Sequence, residues 1–168
     1  MIYYSNSKKE TQKLAAKLAD EMRNLQVRLV IALEGELGAG KTTFAQAFVG
    51  ALGVKAKIKS PTFNIVKKYE IRNTKSEIDA KHKILNTKYV YHIDCYRLKD
   101  HKDALPIGIK EIFKEKDALV LIEWPERIGK ILPKKLTRVH IDHISHNRRK
   151  IQITPASPRR SRGRAKPK

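Results

Sequence analysis

One stretch of the sequence places glycines, a lysine and a threonine at the spacing that binds phosphate groups. It is Gly35-Glu36-Leu37-Gly38-Ala39-Gly40-Lys41-Thr42, which matches G-x-x-x-x-G-K-[ST] at every required position. The glycines allow backbone N–H groups to curl around a phosphate, and a helix that begins at Lys41 adds its positive N-terminal end. The Lys41 ammonium can then reach phosphate oxygens, and the Thr42 hydroxyl can face a Mg²⁺ ion. The alternative is a chance glycine turn with a surface lysine.

The segments that flank this loop have the patterns of a strand and a helix. The run Leu29-Val30-Ile31-Ala32-Leu33 is continuously apolar, as in a buried strand. After the loop, residues 42–52 place apolar side chains near one helical face, and Gly53 ends the helix. Because this motif binds nucleotides when a strand precedes it and a helix follows it, the stretch predicts a nucleotide-binding site.

A carboxylate at the end of a second apolar run could supply a metal ligand. Residues 118–123 (ALVLIE) end in Glu123. This is the form of a Walker B strand, which delivers an acid to the Mg²⁺ beside a phosphate loop. Buried strands also often end in a polar residue, so it is the upstream loop that favours the metal-binding interpretation. Trp124-Pro125 then takes the backbone out of the strand.

Two further segments carry polar groups that could reach the same place. Residues 89–94 alternate as a strand does, which puts His92 and Asp94 on one face at the strand's end. The loop Lys59-Ser60-Pro61-Thr62-Phe63 follows the helix after the phosphate loop, where a hydroxyl can sense a terminal phosphate. Local chemistry alone favours an ordinary Ser-Pro turn, because Pro61 biases Ser60 towards extended geometry.

The remaining patterns complete an α/β fold. The capping-box spacing of Ser7-Lys8-Lys9-Glu10, followed by apolar residues at helical intervals, predicts a helix over 8–23. Other expected elements are strands at 2–4 and 64–71, short helices at 103–114 and 128–132, and an antiparallel pair at 139–144 and 151–154. The expected fold class is α/β, a P-loop NTPase fold with a central mixed β-sheet flanked by helices and antiparallel C-terminal strands.

Length and charge bound the domain organisation and the partners. The chain has 168 residues and a formal net charge of +20, and we expect one domain over residues 1–155. Residues 148–168 carry nine basic side chains and no acid, which leaves +11 on residues 1–147. Segment 156–168 has nothing to bury and is expected to be a basic disordered tail. This balance favours a polyanionic partner, although general lysine usage with a solubilising tail would also explain it.

Cysteine usage and hydropathy indicate the compartment. Cys95 is the single cysteine, so no intramolecular disulfide is possible and a reducing compartment is expected. The longest aliphatic run, 118–122, is too short to cross a bilayer, and the N-terminal residues lack an apolar signal core. We therefore expect a cytoplasmic protein with no membrane partner.

Four stretches, taken in order, resemble one family. They are GELGAGKTTF, SPTF, YHIDCYRL and LIEWPERI, and the resemblance covers roughly residues 5–153. The sequence resembles the small bacterial P-loop ATPases of the TsaE (YjeE) family, which take part in forming N6-threonylcarbamoyladenosine on tRNA. The phosphate loop alone would indicate only an NTPase, whereas the EWP and HxDxYRL motifs are far more particular.

The resemblance implies a site for ATP and Mg²⁺ and assigns residues to it. Thr42 and Glu123 would hold Mg²⁺, with Asp94 beside the metal or the attacking water. Thr62 would sense the γ-phosphate, and Trp124 would lie close to the nucleotide. Arg148, just before the last strand, would correspond to a basic residue near the base. The residues assigned to the ATP phosphates are Gly38, Ala39, Gly40, Lys41, Thr42 and Thr43, with the Lys41 ammonium on the β- and γ-oxygens.

The resemblance also implies partners and a mode of action. Such proteins act with a TsaD-like protein, which performs the transfer, and a TsaB-like paralogue, so tRNA would be reached through the complex. Alone, the chain should be a slow ATPase, because little in it resembles an arginine finger or a closing lid. Two features depart from the family: the long connection Arg72–Lys88 and the arginine-rich tail.

Two other functions compete with this interpretation. A small-molecule kinase shares this size and loop, and needs an acceptor pocket and usually an arginine-bearing lid, for which Arg127 and Arg138 could be proposed. A basic RNA-binding module with a secondary nucleotide site is the other. Stimulation of hydrolysis by partner proteins, without a small-molecule acceptor, would decide against both.

Overall fold

The computed structural model describes residues 1–23, 29–71 and 87–156, and these contain seven strands, three α-helices and one 3₁₀ segment. The strands are β1 (Ile2–Ser5), β2 (Val30–Glu34), β3 (Val66–Glu70), β4 (Tyr89–Asp94), β5 (Ala118–Glu123), β6 (Thr137–His143) and β7 (Arg149–Thr154). The helices are α1 (Lys8–Arg23), α2 (Lys41–Ala51) and α3 (Ile109–Ile112), and the 3₁₀ segment is Pro125–Ile131.

The strands form one mixed sheet in the order β1-β7-β6-β2-β5-β4-β3. The four strands β6, β2, β5 and β4 are parallel to their neighbours within that set, whereas β3, β7 and β1 pair antiparallel. The two most apolar strands, β2 and β5, lie at the centre, where both faces of a parallel sheet are covered. The phosphate loop leaves β2 at the carboxyl end of these strands, which is the edge where α/β sheets bind ligands.

Alternation along the strands sorts the core into two layers. Ile31, Leu33 and Leu121 face α1 and α2 in one apolar cluster. Val30, Ala32 and Ile122 face the other way, against α3 and the 3₁₀ segment. Because side chains alternate in the same way along β4 and β5, the acids that end these strands, Asp94 and Glu123, lie on the face of the sheet that packs against α2. The sheet thus brings those acids to the helix that follows the phosphate loop.

Most expected elements are found, with shifted ends. The α/β class with a mixed sheet is confirmed, and α1 occupies the residues predicted by its capping box. The helix expected over 103–114 is only Ile109–Ile112, because the backbone at Gly108 is left-handed (φ 77°) and starts the helix there. The strand expected from Asn64 begins at Val66, since the amides of Asn64 and Ile65 bond back to Pro61 O in a turn.

Two expectations fall on residues outside the described ranges. The long connection 72–88 is described only at its last two residues, and the tail 156–168 only at Ala156. The backbone N–H of Ala156 donates to the Thr137 hydroxyl at 3.4 Å. The division into a 1–155 domain and a tail stays a prediction. Within the described ranges, no helix has the length and apolar character needed to span a bilayer.

Candidate functional site

The phosphate loop keeps its shape through glycines with positive φ. Gly35 has φ 132°, and a Cβ placed there would lie 2.3 Å from the carbonyl oxygen of Ile141 in β6. Gly38 (φ 79°) and Gly40 (φ 110°) are also left-handed, and Gly40 caps the N-terminus of α2. A side chain at these φ values is strained, so only glycine follows this path at low cost. The packed rings of Phe44 and Phe48, 6.4 Å apart, anchor α2 beneath the loop.

Lys41 lies inside the curve of this loop. Its ammonium donates to the carbonyl oxygens of Gly35 at 2.6 Å and Glu36 at 2.8 Å. The same nitrogen lies 3.7 Å from the centroid of the Trp124 ring, a cation–π distance. Burial lowers the Lys41 pKa, and the carboxylates of Glu123, Glu126 and Asp94 oppose that shift. Phosphate oxygens would compete with the two carbonyls for the same donor.

The acid that ends β5 contacts the threonine that follows the lysine. Thr42 Oγ1 donates to Glu123 Oε2 at 2.9 Å, across 81 residues of sequence. The other carboxylate oxygen, Oε1, lies 2.8 Å from Nε2 of His92 in β4. Glu123 and His92 are both buried. The two residues expected at the metal, Thr42 and Glu123, are therefore in direct contact.

Asp94 ends the neighbouring strand at the same level. The β4–β5 register pairs Asp94 with Glu123, and Asp94 is buried. Its Oδ2 accepts hydrogen bonds from the hydroxyls of Thr62 and, at 3.3 Å, Ser60. Its Oδ1 accepts from the backbone N–H of Tyr96 at 3.0 Å. The loop therefore brings the Thr62 hydroxyl into contact with Asp94, a contact that the local Ser-Pro turn pattern did not predict.

The oxygen donors gathered here fit a Mg²⁺ ion bound together with a nucleotide. Thr42, Glu123 and Asp94 offer a hydroxyl and two carboxylates, the hard ligands that Mg²⁺ prefers. Among the described residues, no group of three or more His, Cys, Asp or Glu side chains could hold a metal ion by itself. Mg²⁺ usually binds through one or two carboxylates, with phosphate oxygens and water completing its shell.

Trp124 and Cys95 follow the two strand-ending acids. Trp124 has a left-handed backbone (φ 58°), and its ring centroid lies 5.1 Å from that of Tyr96. Its indole therefore contacts both Tyr96 and the Lys41 ammonium. Cys95 is buried, and burial raises the pKa of its thiol to about 12. Because the thiolate is the nucleophile, Cys95 is a core residue here.

The last strand contributes an arginine that the sequence did not single out. Arg149 Nε donates to the carbonyl oxygen of Ala39 at 2.9 Å, and its Nη1 donates to Ser145 O at 2.9 Å. Arg149 thus ties the turn between β6 and β7 to the phosphate loop. Arg148 is exposed, with its guanidinium 5.3 Å from the Tyr4 ring centroid. Its assignment to the nucleotide base stays a prediction. No local pattern could have separated these two arginines, because the Ala39 contact spans 110 residues.

A cleft of about 570 Å³ opens beside the start of the loop, at the carboxyl ends of β2 and β6. It is lined by Glu34, Gly35, Glu36, Trp124, Glu126, His140, Ile141, Asp142 and His143. Several of its polar side chains already have protein partners. Glu34 accepts a hydrogen bond from Arg138, and His140 lies 2.9 Å from Asp142. The cleft adjoins the loop without containing Thr42, Thr62 or Asp94.

Comparisons with known proteins identify relatives of this chain. A family model described as threonylcarbamoyl adenosine biosynthesis protein TsaE matches residues 5–151. The tRNA threonylcarbamoyladenosine biosynthesis protein TsaE of Rickettsia conorii is 34% identical over 149 residues, or 88% of this chain and 74% of that protein. The protein of that name from Bacillus subtilis is 33% identical over 130 residues, or 77% and 72%.

A solved structure supports the same relationship. The crystal structure of Bacillus subtilis YdiB superposes with a TM-score of 0.68 and 25% identity, covering 94% of this chain and 86% of that one. The expected P-loop NTPase fold is therefore confirmed, and so is the resemblance carried by the four motifs. The chain belongs to the TsaE family of tRNA threonylcarbamoyladenosine biosynthesis proteins.

Proposed function

We propose that this protein binds ATP with Mg²⁺ and hydrolyses the γ-phosphate within the machinery that forms N6-threonylcarbamoyladenosine on tRNA. The observation that carries the proposal is the hydrogen bond between Thr42 Oγ1 and Glu123 Oε2 at 2.9 Å. It joins the phosphate loop to the acid of the Walker B strand, which are the two protein groups that hold Mg²⁺ in P-loop NTPases. Membership of the TsaE family supports the pathway.

Each residue of the site has a role in this reaction. The loop backbone from Gly38 to Thr43 cradles the phosphates, and Lys41 moves its ammonium from the loop carbonyls to the β- and γ-oxygens. Thr42 and Glu123 would hold the cation, which would supply positive charge against the charge that develops on the phosphates. Asp94 serves the same cation or orients the attacking water. Thr62, hydrogen-bonded to Asp94, senses the γ-phosphate.

The partners of the reaction follow from the family. We propose that the chain acts with TsaD-like and TsaB-like proteins in the cytoplasm, and that tRNA is reached through that complex. Hydrolysis by the isolated chain should be slow, because little in the sequence resembles an arginine finger or a closing lid. Partner binding would supply or order the missing groups.

The charge pairing of β6 argues against one of the two arginines that could serve a kinase lid. A kinase lid needs an arginine on a mobile segment that closes over the phosphates. Arg138, one of the two candidates, lies on β6 and pairs with Glu34 of β2. This position in the middle of the sheet does not suit a lid.

Phosphate release from ATP tests the proposal. It should be measured with the purified chain alone, with an equimolar pair of TsaB and TsaD proteins, and with that pair lacking the chain. We expect slow turnover alone and a clear increase with the pair. Equal rates with and without the pair would contradict the proposed partnership, whereas transfer of phosphate to a small-molecule acceptor would favour the kinase.

A further inference from the structure

The buried contact between His92 and Glu123 bears on how the cation site keeps its shape. The His92 side chain is 0% exposed and that of Glu123 is 2% exposed, with 2.8 Å between Nε2 and Oε1. Because a carboxylate can only accept hydrogen bonds, the shared hydrogen belongs to His92 Nε2. The other oxygen, Oε2, accepts from Thr42. Each oxygen of Glu123 therefore has its own donor, one from β4 and one from α2.

The second ring nitrogen of His92 argues against a packing role for this side chain. Nδ1 is buried and has no hydrogen-bond partner within the described part of the chain. A buried polar atom without a partner is unfavourable, and an apolar residue would avoid it. Val90, on the same face of β4, is such a residue and belongs to the apolar core. The imidazole at position 92 is thus accounted for by its bond to Glu123.

The strand register places His92 further from the carboxyl ends of the strands than the two acids. Asp94 pairs with Glu123, whereas His92 pairs with Leu121, two residues further from the carboxyl end of the sheet. His92 therefore approaches the carboxylate from within the sheet, while Thr42 approaches it from α2. This is the arrangement of an outer-shell group, which orients a metal ligand without touching the metal.

We propose that His92 is a positioning residue that fixes the carboxylate of Glu123 for Mg²⁺. The proposal rests on the proposed ATPase function. Without the bond, one carboxylate oxygen loses its donor and the group must be ordered when the cation binds. The loop backbone and Lys41 contact the nucleotide independently of this bond. Loss of the bond should therefore raise the Mg²⁺ concentration that binding requires and leave nucleotide affinity in the absence of Mg²⁺ unchanged.

Two amide substitutions separate this role from a structural one. His92→Gln places an amide nitrogen near the position of Nε2 and can still donate to Glu123. His92→Asn places its amide near the position of Nδ1, out of reach of Glu123. Both put a neutral amide into the same buried site, but the Asn amide would have no partner there, so we expect His92→Asn to be the less stable of the two. Tyr91→Phe is a control, since it removes a 2.6 Å hydrogen bond to Glu115 on the other face of β4.

The readout is nucleotide binding as a function of Mg²⁺ concentration, measured by calorimetry with ATP and repeated in EDTA, alongside the melting temperature. We expect His92→Asn to raise the half-saturating Mg²⁺ concentration on the order of tenfold to a hundredfold. His92→Gln and Tyr91→Phe should retain the Mg²⁺ dependence of the unaltered chain. Affinity in EDTA should be the same for all four proteins.

Several results would overturn the proposal. A lower melting temperature with an unchanged Mg²⁺ requirement in His92→Asn would make His92 structural. An equal rise in both amide variants would show that the Nε2 position is not what matters. If His92→Asn fails to fold, a folded His92→Gln whose Mg²⁺ requirement rises would still decide against the proposal. If the unaltered chain binds ATP equally well with and without Mg²⁺, that result would instead contradict the proposed function.

Discussion

The Lys41 ammonium lies 3.7 Å from the centroid of the Trp124 ring, while it donates to two carbonyls of its own loop. Trp124 directly follows Glu123, and its left-handed backbone turns the indole towards the phosphate loop. The charged group of the loop and the residue after the strand-ending acid thus form one contact. Since Trp124 is the single tryptophan, its emission reports on Lys41.

Lys41→Ala tests this contact and the role of the loop together. Removal of the ammonium should weaken ATP binding by about 1.5–3 kcal/mol, because a charge-assisted hydrogen bond to phosphate is lost. It should also change Trp124 emission before any nucleotide is added, since the cation–π contact disappears. Lys130→Ala, an exposed lysine of the 3₁₀ segment, is the control. Unchanged ATP affinity in the Lys41 variant would remove this residue from the site.

Gly35→Ala tests the path of the loop against β6. The new Cβ would lie 2.3 Å from Ile141 O, and φ is 132°, so we expect the free energy of unfolding to fall by roughly 1–3 kcal/mol. Gly129→Ala is a matched control, because nothing lies within 4 Å of its Cβ position. Urea titration of both variants measures the difference. Equal stability of the two variants would show that a Cβ at position 35 does not collide with β6.

Arg149→Ala and Arg148→Ala form a matched pair on adjacent residues. Arg149 bonds to Ala39 O and to the β6–β7 turn, so its loss should lower the free energy of unfolding by roughly 1–2 kcal/mol and weaken ATP binding. Arg148 makes an exposed contact with Tyr4, and its loss should affect stability much less. The motif-based assignment of Arg148 to the base predicts the reverse order of ATP affinities. Calorimetry on both variants therefore decides between the two arginines.

Burial of Cys95 makes a prediction at alkaline pH. Its pKa is about 12 in the fold, raised from 9.0 first by desolvation, then by Asp94 and Glu126. The thiol ionises at a lower pH in the unfolded chain than in the fold. The stability that comes from the buried neutral thiol is therefore complete below pH 9 and is lost as the pH rises towards 12. Cys95→Ala should remove that part of the pH dependence in urea titrations. Thiol labelling of the folded chain as fast as in urea would contradict the buried position.

Local patterns predicted the parts of the site that depend on neighbours in sequence. The phosphate loop, the apolar run ending at Glu123 and the alternation that puts His92 beside Asp94 all follow from short spacings. Three features could not be predicted from such spacings. They are the parallel pairing of β6 with β2, the contact of Arg149 with Ala39, and the hydrogen bond between His92 and Glu123. Each joins residues that meet only after the sheet has assembled. Periodicity carries no information about such pairings.

The position of Thr62 shows the same limit in a single loop. Its local sequence is that of an ordinary Ser-Pro turn, and the backbone does turn there, with Asn64 N–H bonded to Pro61 O at 2.8 Å. Only the tertiary structure shows that this turn places Thr62 and Ser60 against Asp94. The family resemblance placed Thr62 near the site where local chemistry did not.

Glu123 and Asp94 end two neighbouring parallel strands, and we propose that both carboxylates serve ATP hydrolysis. The most direct measurement is phosphate release from ATP in the presence of the TsaB and TsaD proteins, for the unaltered chain, Glu123→Gln and Asp94→Asn. Both variants should keep the nucleotide affinity measured in EDTA, because the loop backbone makes the main phosphate contacts. We predict that both lose partner-stimulated hydrolysis while still binding ATP. Full stimulated hydrolysis by either variant would contradict the role proposed for that carboxylate.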